Sequence, residues 1–238
     1  NYKPACALIL GDRYEMMAIA LCCINYNIPI AHFCGGSETL GSLDDKYRFA
    51  ISKMAKIHFL ETKLHKKNII KNQIFKNLYV VGSPALESIK DKQKFKSRES
   101  SLKKLKLDIN ISKKIVTACF QPETTRSIEF NKKNLKLLLI FLKTLNVNII
   151  FTFPNADVGF KDYVRLINQM LKGMSNVNIV KSLGVERYYE ALTLSSLLIG
   201  NSSSGIIESA SFNLPTINLG SRQKNRFAPK NVHHCPFN

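Results

Sequence analysis

The sequence predicts an α/β protein built from two Rossmann-like halves. Short apolar, strand-like runs alternate with longer segments of helical spacing. That alternation stops at a charged stretch near the middle of the chain and then restarts. The residues that follow the strand-like runs are rich in Gly, Ser, Asn and Asp, as expected where parallel strands end and helices begin.

The elements follow in order. ACALIL (5–10) reads as a buried strand, and 13–26 carries helical spacing. IPIAHF (28–33) is a second strand opened by Pro29, a position where proline is tolerated. Residues 43–56 form a helix with Ser42 as its N-cap, IHFL (57–60) is a strand, and Thr62 caps the next helix. LYVV (78–81) ends at Gly82-Ser83-Pro84. The dense basic stretch 90–114 reads as a solvated connection between the halves, which are set at 1–110 and 111–238. KIVTACF (114–120) restarts the pattern with a strand, followed by a helix at 129–146 and the strand NIIFTF (148–153). A helix at 159–173, the strand NVNIV (176–180) and a helix at 185–194 come next. SLLIG (196–200), a helix over 204–212 and PTINL (215–219) close the series.

The 238 residues suit one large domain or two ordinary ones, and 45% hydrophobic content is enough for a core. The formal charge of +18 is explained more simply by lysines scattered over helix faces than by a nucleic-acid surface, because aromatics are not interleaved with them. Six cysteines without a C-x-x-C pair give no metal-ligand spacing and fit a reducing, cytoplasmic setting. His233-His234-Cys235 is a cluster with no partner motif. No apolar run reaches the ~18 residues of a spanning helix.

In open parallel sheets ligands sit beyond the carboxyl ends of the strands. Gly200-Asn201-Ser202-Ser203-Ser204-Gly205 leaves one such end and opens a helix, which suits either a phosphate or a plain serine cap. Glu208, one turn on, can take both hydroxyls of a ribose. Asp12, in Gly11-Asp12-Arg13, is a catalytic carboxylate at the cleft edge or an N-cap. Asp44 and Arg48, four apart, share a helix face as a surface ion pair or as part of a site, with Asp45 beside them and Cys34-Gly35-Gly36 upstream. His32 follows an apolar strand as a core histidine would.

LGDRYE (10–15), IPIAHFCGG (28–36), LDDKYRFAISK (43–53), VGSPALESI (81–89), FTFPNADVG (151–159), IGNSSSGIIESASF (199–212) and PTINLGSRQKNR (215–226) occur together and in order. In this the chain resembles the hydrolysing UDP-N-acetylglucosamine 2-epimerases of sialic acid biosynthesis. The resemblance implies a GT-B-like fold, with the halves facing a cleft. It also implies elimination of UDP through a glycal-like intermediate, then hydration to a free 2-epimer sugar. Related members act on a diacetamido sugar nucleotide. By motif position, Ser202, Ser203, Ser204 and Gly205 would hold the diphosphate, Glu208 the ribose, and Arg222 would face the nucleotide. Asn155 and Asp157 would lie near the ligand. Asp12, Asp44, Asp45, Arg48 and Gln121 fall at the catalytic positions. No cofactor or metal is implied; a homo-oligomer is.

The chain departs from the family pattern at Cys34 (usually Glu or His), Ser37 (usually Glu), Phe49 (commonly His) and Gln121 (usually His). Glutamine cannot exchange a proton near neutral pH, whereas histidine can. The family's first strand lies upstream of Asn1 and its final helix beyond Asn238, so the resemblance implies a shortened chain. Two other functions fit the same motifs: a UDP-sugar binder with impaired catalysis, and a GT-B glycosyltransferase.

Overall fold

The computed structural model describes residues 4–39, 42–92 and 98–237. By contact the chain divides into two compact units, 1–87 with 225–227, and 88–224 with 228–238. Among the described residues no helix is long and apolar enough to cross a membrane.

The first unit runs β1 (Ala7–Leu10), α1 (Tyr14–Asn25), β2 (Ile30–Phe33), α2 (Asp44–Met54), β3 (Ile57–Leu60), α3 (Lys63–Lys71) and β4 (Leu78–Val80). Its four strands are parallel and stand in chain order, β1-β2-β3-β4. Right-handed crossovers that always step the same way place their helices on one face of a sheet. The burial pattern agrees. Ile9 and Ile30 pack with Ala20, Cys23 and Ile51 of the helices. Leu10, Phe33, Phe59 and Tyr79 share one register row on the other face, where Leu10 is 57% and Tyr79 51% exposed. Their rings stack in sequence, Phe33 to Phe59 at 5.1 Å and Phe59 to Tyr79 at 6.1 Å between centroids.

Caps match the sequence at α3, where Thr62 accepts the His65 N–H at 3.1 Å. At α2 the residue preceding the helix is Leu43, and the Ser42 hydroxyl accepts the Asp44 N–H at 3.2 Å from one position further back.

Two helices follow β4: α4 (Pro84–Lys92) and α5 (Arg98–Leu105). α5 corrects the expectation of a solvated connection over 90–114. Its Leu105 is fully buried with Ile115, Ile150, Leu183 and Leu194. Its Ser101 hydroxyl donates to Glu190 at 2.7 Å. The charged residues of α5 face outward, and two small or apolar positions on one side suffice to seat it. For the same reason residues 88–110, expected in the first half, group by contact with the second.

The second unit continues with β5 (Ile115–Cys119), α6 (Ile128–Lys143), β6 (Asn148–Thr152), α7 (Phe160–Leu171), β7 (Val177–Val180), α8 (Gly184–Leu194) and β8 (Leu197–Gly200). It ends with α9 (Ser204–Ile207), a 3₁₀ turn (Ser209–Phe212), β9 (Thr216–Leu219) and β10 (Val232–Cys235). The last strand, which carries His233-His234-Cys235, was not expected. It extends an edge of the sheet beside β9 and its sequence has no apolar run, so its pairing comes from backbone rather than from side-chain pattern.

The six strands are parallel in the order β10-β9-β8-β5-β6-β7. Numbered within the unit, that is 6-5-4-1-2-3, the doubly wound order. Such a sheet is covered on both faces, and β5 is accordingly buried at all five positions. α6 supplies one side of the core through Leu135, Leu138, Leu139 and Leu142 against Val116, Ile149 and Phe151.

Leu139 has no exposed surface. Leu139→Ala should lower unfolding free energy by about 2–5 kcal/mol. Lys136→Ala, on the exposed face of the same helix, should stay within about 0.5 kcal/mol. Urea denaturation of the two variants separates them.

Candidate functional site

In the second unit the strand order reverses between β5 and β8, so the chain leaves these neighbours toward opposite faces and opens a crevice at their carboxyl ends. The two loops there, 120–124 and 200–205, are locked to each other. Gly200 has φ +145°, and a Cβ on it would lie 1.7 Å from the Cys119 carbonyl oxygen, so only glycine fits. Asn201, 2% exposed, then bonds the Gln121 backbone both ways: its Oδ1 accepts the Gln121 N–H at 2.6 Å and its Nδ2 donates to the Gln121 carbonyl at 2.7 Å. Arg222 and Gln223 donate to the Asn201 carbonyl at 3.2 and 2.9 Å.

A cavity of about 560 Å³ opens over this crevice. Gln121, Asn155, Ser202, Ser204, Glu208 and Lys181 give it polar groups, while Phe160 and Tyr188 give it aromatic walls. That size and mixture suit a nucleotide-sized ligand. The Tyr188 hydroxyl is hydrogen-bonded to the Ser204 hydroxyl. Burial pushes the Tyr188 phenol well above its ordinary range. Burial likewise raises the Glu208 carboxyl, against a hydrogen bond from Ser204 that favours its charge.

The residues expected to hold a diphosphate are thus only partly gathered at the cavity. Ser202 and Ser204 line it; Ser203 and Gly205 do not. Ser203 occupies the N-cap position of α9, and Gly205 is buried with Thr216 3.0 Å from where its Cβ would be. The helix expected over 204–212 is four residues of α-helix followed by a 3₁₀ turn. The break falls at Glu208, and the Ser209 hydroxyl is bonded to the Gly205 carbonyl at 2.7 Å. So short a helix has little macrodipole, and an anion here depends on hydroxyls and individual N–H groups. Asn155 reaches the cavity, whereas Asp157 and Arg222 are absent from its wall.

Gln121 is 8% exposed and both ends of its amide are engaged. Its Oε1 accepts the Asn155 N–H at 2.9 Å and its Nε2 donates to the Cys119 sulfur at 3.3 Å. It fixes the Asn155 loop at the cavity mouth and has no proton to give.

The ionisable cluster lies in the first unit. Arg48 is 2% exposed and pairs with Asp12 and with Asp45, three residues back, rather than with Asp44. Its Nη1 also donates to the Ser37 carbonyl at 2.5 Å. This is a buried network and not a surface pair. Asp12 does not cap α1, whose N-cap is Arg13 without a side-chain bond. Asp45 accepts the Thr39 N–H through both oxygens, at 2.9 and 2.8 Å. Arg226 donates to the Glu38 carbonyl at 2.9 Å and to the Thr39 hydroxyl. Burial pushes the Asp45 carboxyl up to about 6, while the Thr39 N–H and Arg226 pull it back.

His32 holds the Asp12 loop from below. Its Nε2 meets the Gly11 carbonyl at 2.8 Å and its Nδ1 the Ser52 hydroxyl at 2.9 Å. A carbonyl can only accept, so Nε2 carries the proton and Nδ1 takes the hydroxyl's. Burial lowers the ring to about 4, which keeps it neutral at pH 7. His32 is buried in β2 as the apolar run around it predicts; Tyr188 and Lys181 carried no signal in the sequence beyond their residue type, and only the folded neighbours give them a role.

The whole chain, residues 1–238, matches the family described as UDP-N-acetylglucosamine 2-epimerase. The chain belongs to this family. It is 37% identical over 245 residues to the GDP/UDP-N,N'-diacetylbacillosamine 2-epimerase (hydrolyzing) of Campylobacter jejuni, covering 100% of this chain and 62% of that protein. It is 34% identical to the UDP-N,N'-diacetylbacillosamine 2-epimerase (hydrolyzing) of Legionella pneumophila, covering 96% and 59%. The crystal structure of UDP-GlcNAc 2-epimerase from Neisseria meningitidis bound to UDP-GlcNAc superposes with a TM-score of 0.73 at 18% identity, over 94% of this chain and 62% of that one. The fold is therefore the GT-B-like fold of these epimerases, and the chain spans about three-fifths of the length of the relatives it matches.

Asn201 should be the residue on which the second-unit site most depends for its shape. Asn201→Ala strands a buried N–H and a buried carbonyl, at about 1–3 kcal/mol each. Asn201→Asp keeps the acceptor but buries a carboxylate and turns its second oxygen toward the Gln121 carbonyl, so at pH 7 it should cost at least as much. Urea unfolding gives the order.

Proposed function

We propose that this chain acts as a hydrolysing 2-epimerase on a UDP-linked acetamido sugar. It would release UDP and the free 2-epimer of the sugar. The observation that carries the reading is the cavity at the switch point between β5 and β8, with Ser202, Ser204 and Glu208 on its wall. Its hydroxyls suit a diphosphate and its carboxylate suits a ribose diol. The likeness to relatives named as hydrolysing epimerases of diacetylbacillosamine nucleotides favours a diacetamido sugar over a monoacetamido one.

The reaction removes a weakly acidic C2 proton as UDP departs, then adds water across the resulting double bond. A proton must leave and a proton must return. Gln121 can do neither. Asp45, with its carboxyl near 6, is suited to exchange protons around neutral pH. Asp12 shares Arg48 with it. Arg48 keeps both carboxylates in place and stabilises negative charge that develops beside them. Asp44, at the start of the same helix, is a further acid of this face.

The engagement of Gln121 by Asn155 and Cys119 also supports a second reading, a UDP-sugar binder without turnover. Product analysis decides between them. Incubation with UDP-N,N'-diacetylbacillosamine or UDP-N-acetylglucosamine, followed by NMR, should show free 2-epimer sugar and UDP. Tight binding with no product would establish the binder. Transfer of the sugar to an added acceptor, with no free epimer, would point to a glycosyltransferase.

Glu208→Gln should weaken UDP by roughly 10- to 100-fold, the scale of a charged hydrogen bond. It should also raise Tm at pH 7.5. The sign follows from burial: the folded carboxyl titrates above its unfolded value, so stability is lost as pH rises from the unfolded value to the raised one and the full cost is present above it. The gain in Tm should shrink as pH falls below that value. Isothermal calorimetry and thermal melts at several pH values test both halves.

A further inference from the structure

The carboxyl edge of the first sheet holds one more acid that the reading above does not use. Asp12, Cys34 and Glu61 are residues just beyond the ends of β1, β2 and β3, three strands that stand side by side. Parallel strands in register bring such positions to one edge, where ligands of open sheets bind.

Glu61 is 11% exposed at its side chain. The Cys34 thiol donates to its carboxylate, and the His65 Nδ1 lies 3.7 Å from its Oε2. Neither neighbour neutralises it. The thiol is a weak donor, pushed up to about 12 by burial and by Glu61 itself, so it stays protonated. The His65 ring is lowered by burial, with Glu61 pulling it up and Arg226 and Arg48 pushing it down, so it is neutral at pH 7. His65 Nδ1 is buried with no hydrogen-bond partner. The surrounding loop is rigid: Gly36 has φ +74°, and a Cβ there would lie 2.3 Å from the His65 carbonyl oxygen. Asn68 donates to the Gly36 carbonyl at 3.0 Å. A carboxylate has about four acceptor positions, and burying one beside weak partners is costly.

We propose that Glu61 is a sugar-recognition residue, its carboxylate accepting an amide N–H or hydroxyl of the acetamido sugar. This rests on the proposed epimerase reading. Cys34 is a positioning residue in this arrangement: its thiol holds one acceptor site of the carboxylate and leaves the others for the ligand.

Equilibrium binding of UDP and of UDP-N,N'-diacetylbacillosamine or UDP-N-acetylglucosamine to the full chain, wild type and Glu61→Ala, tests it without requiring turnover. The wild type should bind the sugar nucleotide more tightly than UDP. Glu61→Ala should lose about tenfold or more for the sugar nucleotide and leave UDP unchanged. Glu61→Gln, which keeps an acceptor oxygen, should recover part of the loss. Where product forms, KM should rise more than kcat falls. Equal weakening of UDP and sugar nucleotide in Glu61→Ala would mark Glu61 as structural and overturn the proposal. So would unchanged affinity for both, or a wild type that does not distinguish them. A wild type that distinguishes them but yields no product would defeat the catalytic reading while leaving this one standing.

Discussion

The second unit depends on one reciprocal contact. The Asn201 side chain closes two hydrogen bonds on the Gln121 backbone and so makes the ends of β5 and β8 into a single piece. The doubly wound order creates the crevice; this pair decides its width. Gly200 makes the approach possible, since any side chain there would collide with the Cys119 carbonyl. Arg222 and Gln223 reinforce it from the β9 side by binding the Asn201 carbonyl. The positions of Ser202, Ser204 and Glu208 follow from that anchor.

The first unit solves a different problem. Its acids must be held close to one another in a partly dry place without driving each other apart. Arg48 does this by sitting between Asp12 and Asp45 at 2% exposure. Removing one partner of such a network leaves uncompensated buried charge, which costs far more than a surface pair contributes. A neutral His32 beneath the Asp12 loop adds shape without adding charge. Each unit thus has a polar skeleton at the carboxyl ends of its strands, and each skeleton is made from residue types that also serve as ordinary surface residues elsewhere.

That double use explains what the sequence could and could not reveal. Apolar runs placed β3 to the residue and the other strands expected from them within a few positions, because parallel strands need continuous or alternating hydrophobicity. The loops carrying Asp12 and Ser202 were legible because they follow those runs, and Asp45 because it falls in the first turn of the helix predicted over 43–56. β10 was hidden because Val232-His233-His234-Cys235 pairs through its backbone at a sheet edge. α5 was hidden because its sequence is charged except for the face around Ser101 and Leu105. The choice of Asp45 over Asp44 as partner of Arg48 depends on side-chain direction, which spacing alone leaves open. Glu61 became visible only when β2 and β3 were laid side by side. The break after Ile207 turns on one hydroxyl, that of Ser209, and nothing in the neighbouring pattern announces it.

Tyr188 has an optical consequence. The chain contains eight tyrosines and no tryptophan, so tyrosine emission is not drained by energy transfer to an indole. Tyr188 sits in the cavity wall with its hydroxyl on Ser204 and the Glu208 carboxylate nearby. A ligand that takes over Ser204 would release that hydroxyl, and a phenol's emission is sensitive to what accepts its proton. The cavity therefore carries its own chromophore, and occupancy can be followed in the unlabelled protein against a background of seven other tyrosines in a total of eight.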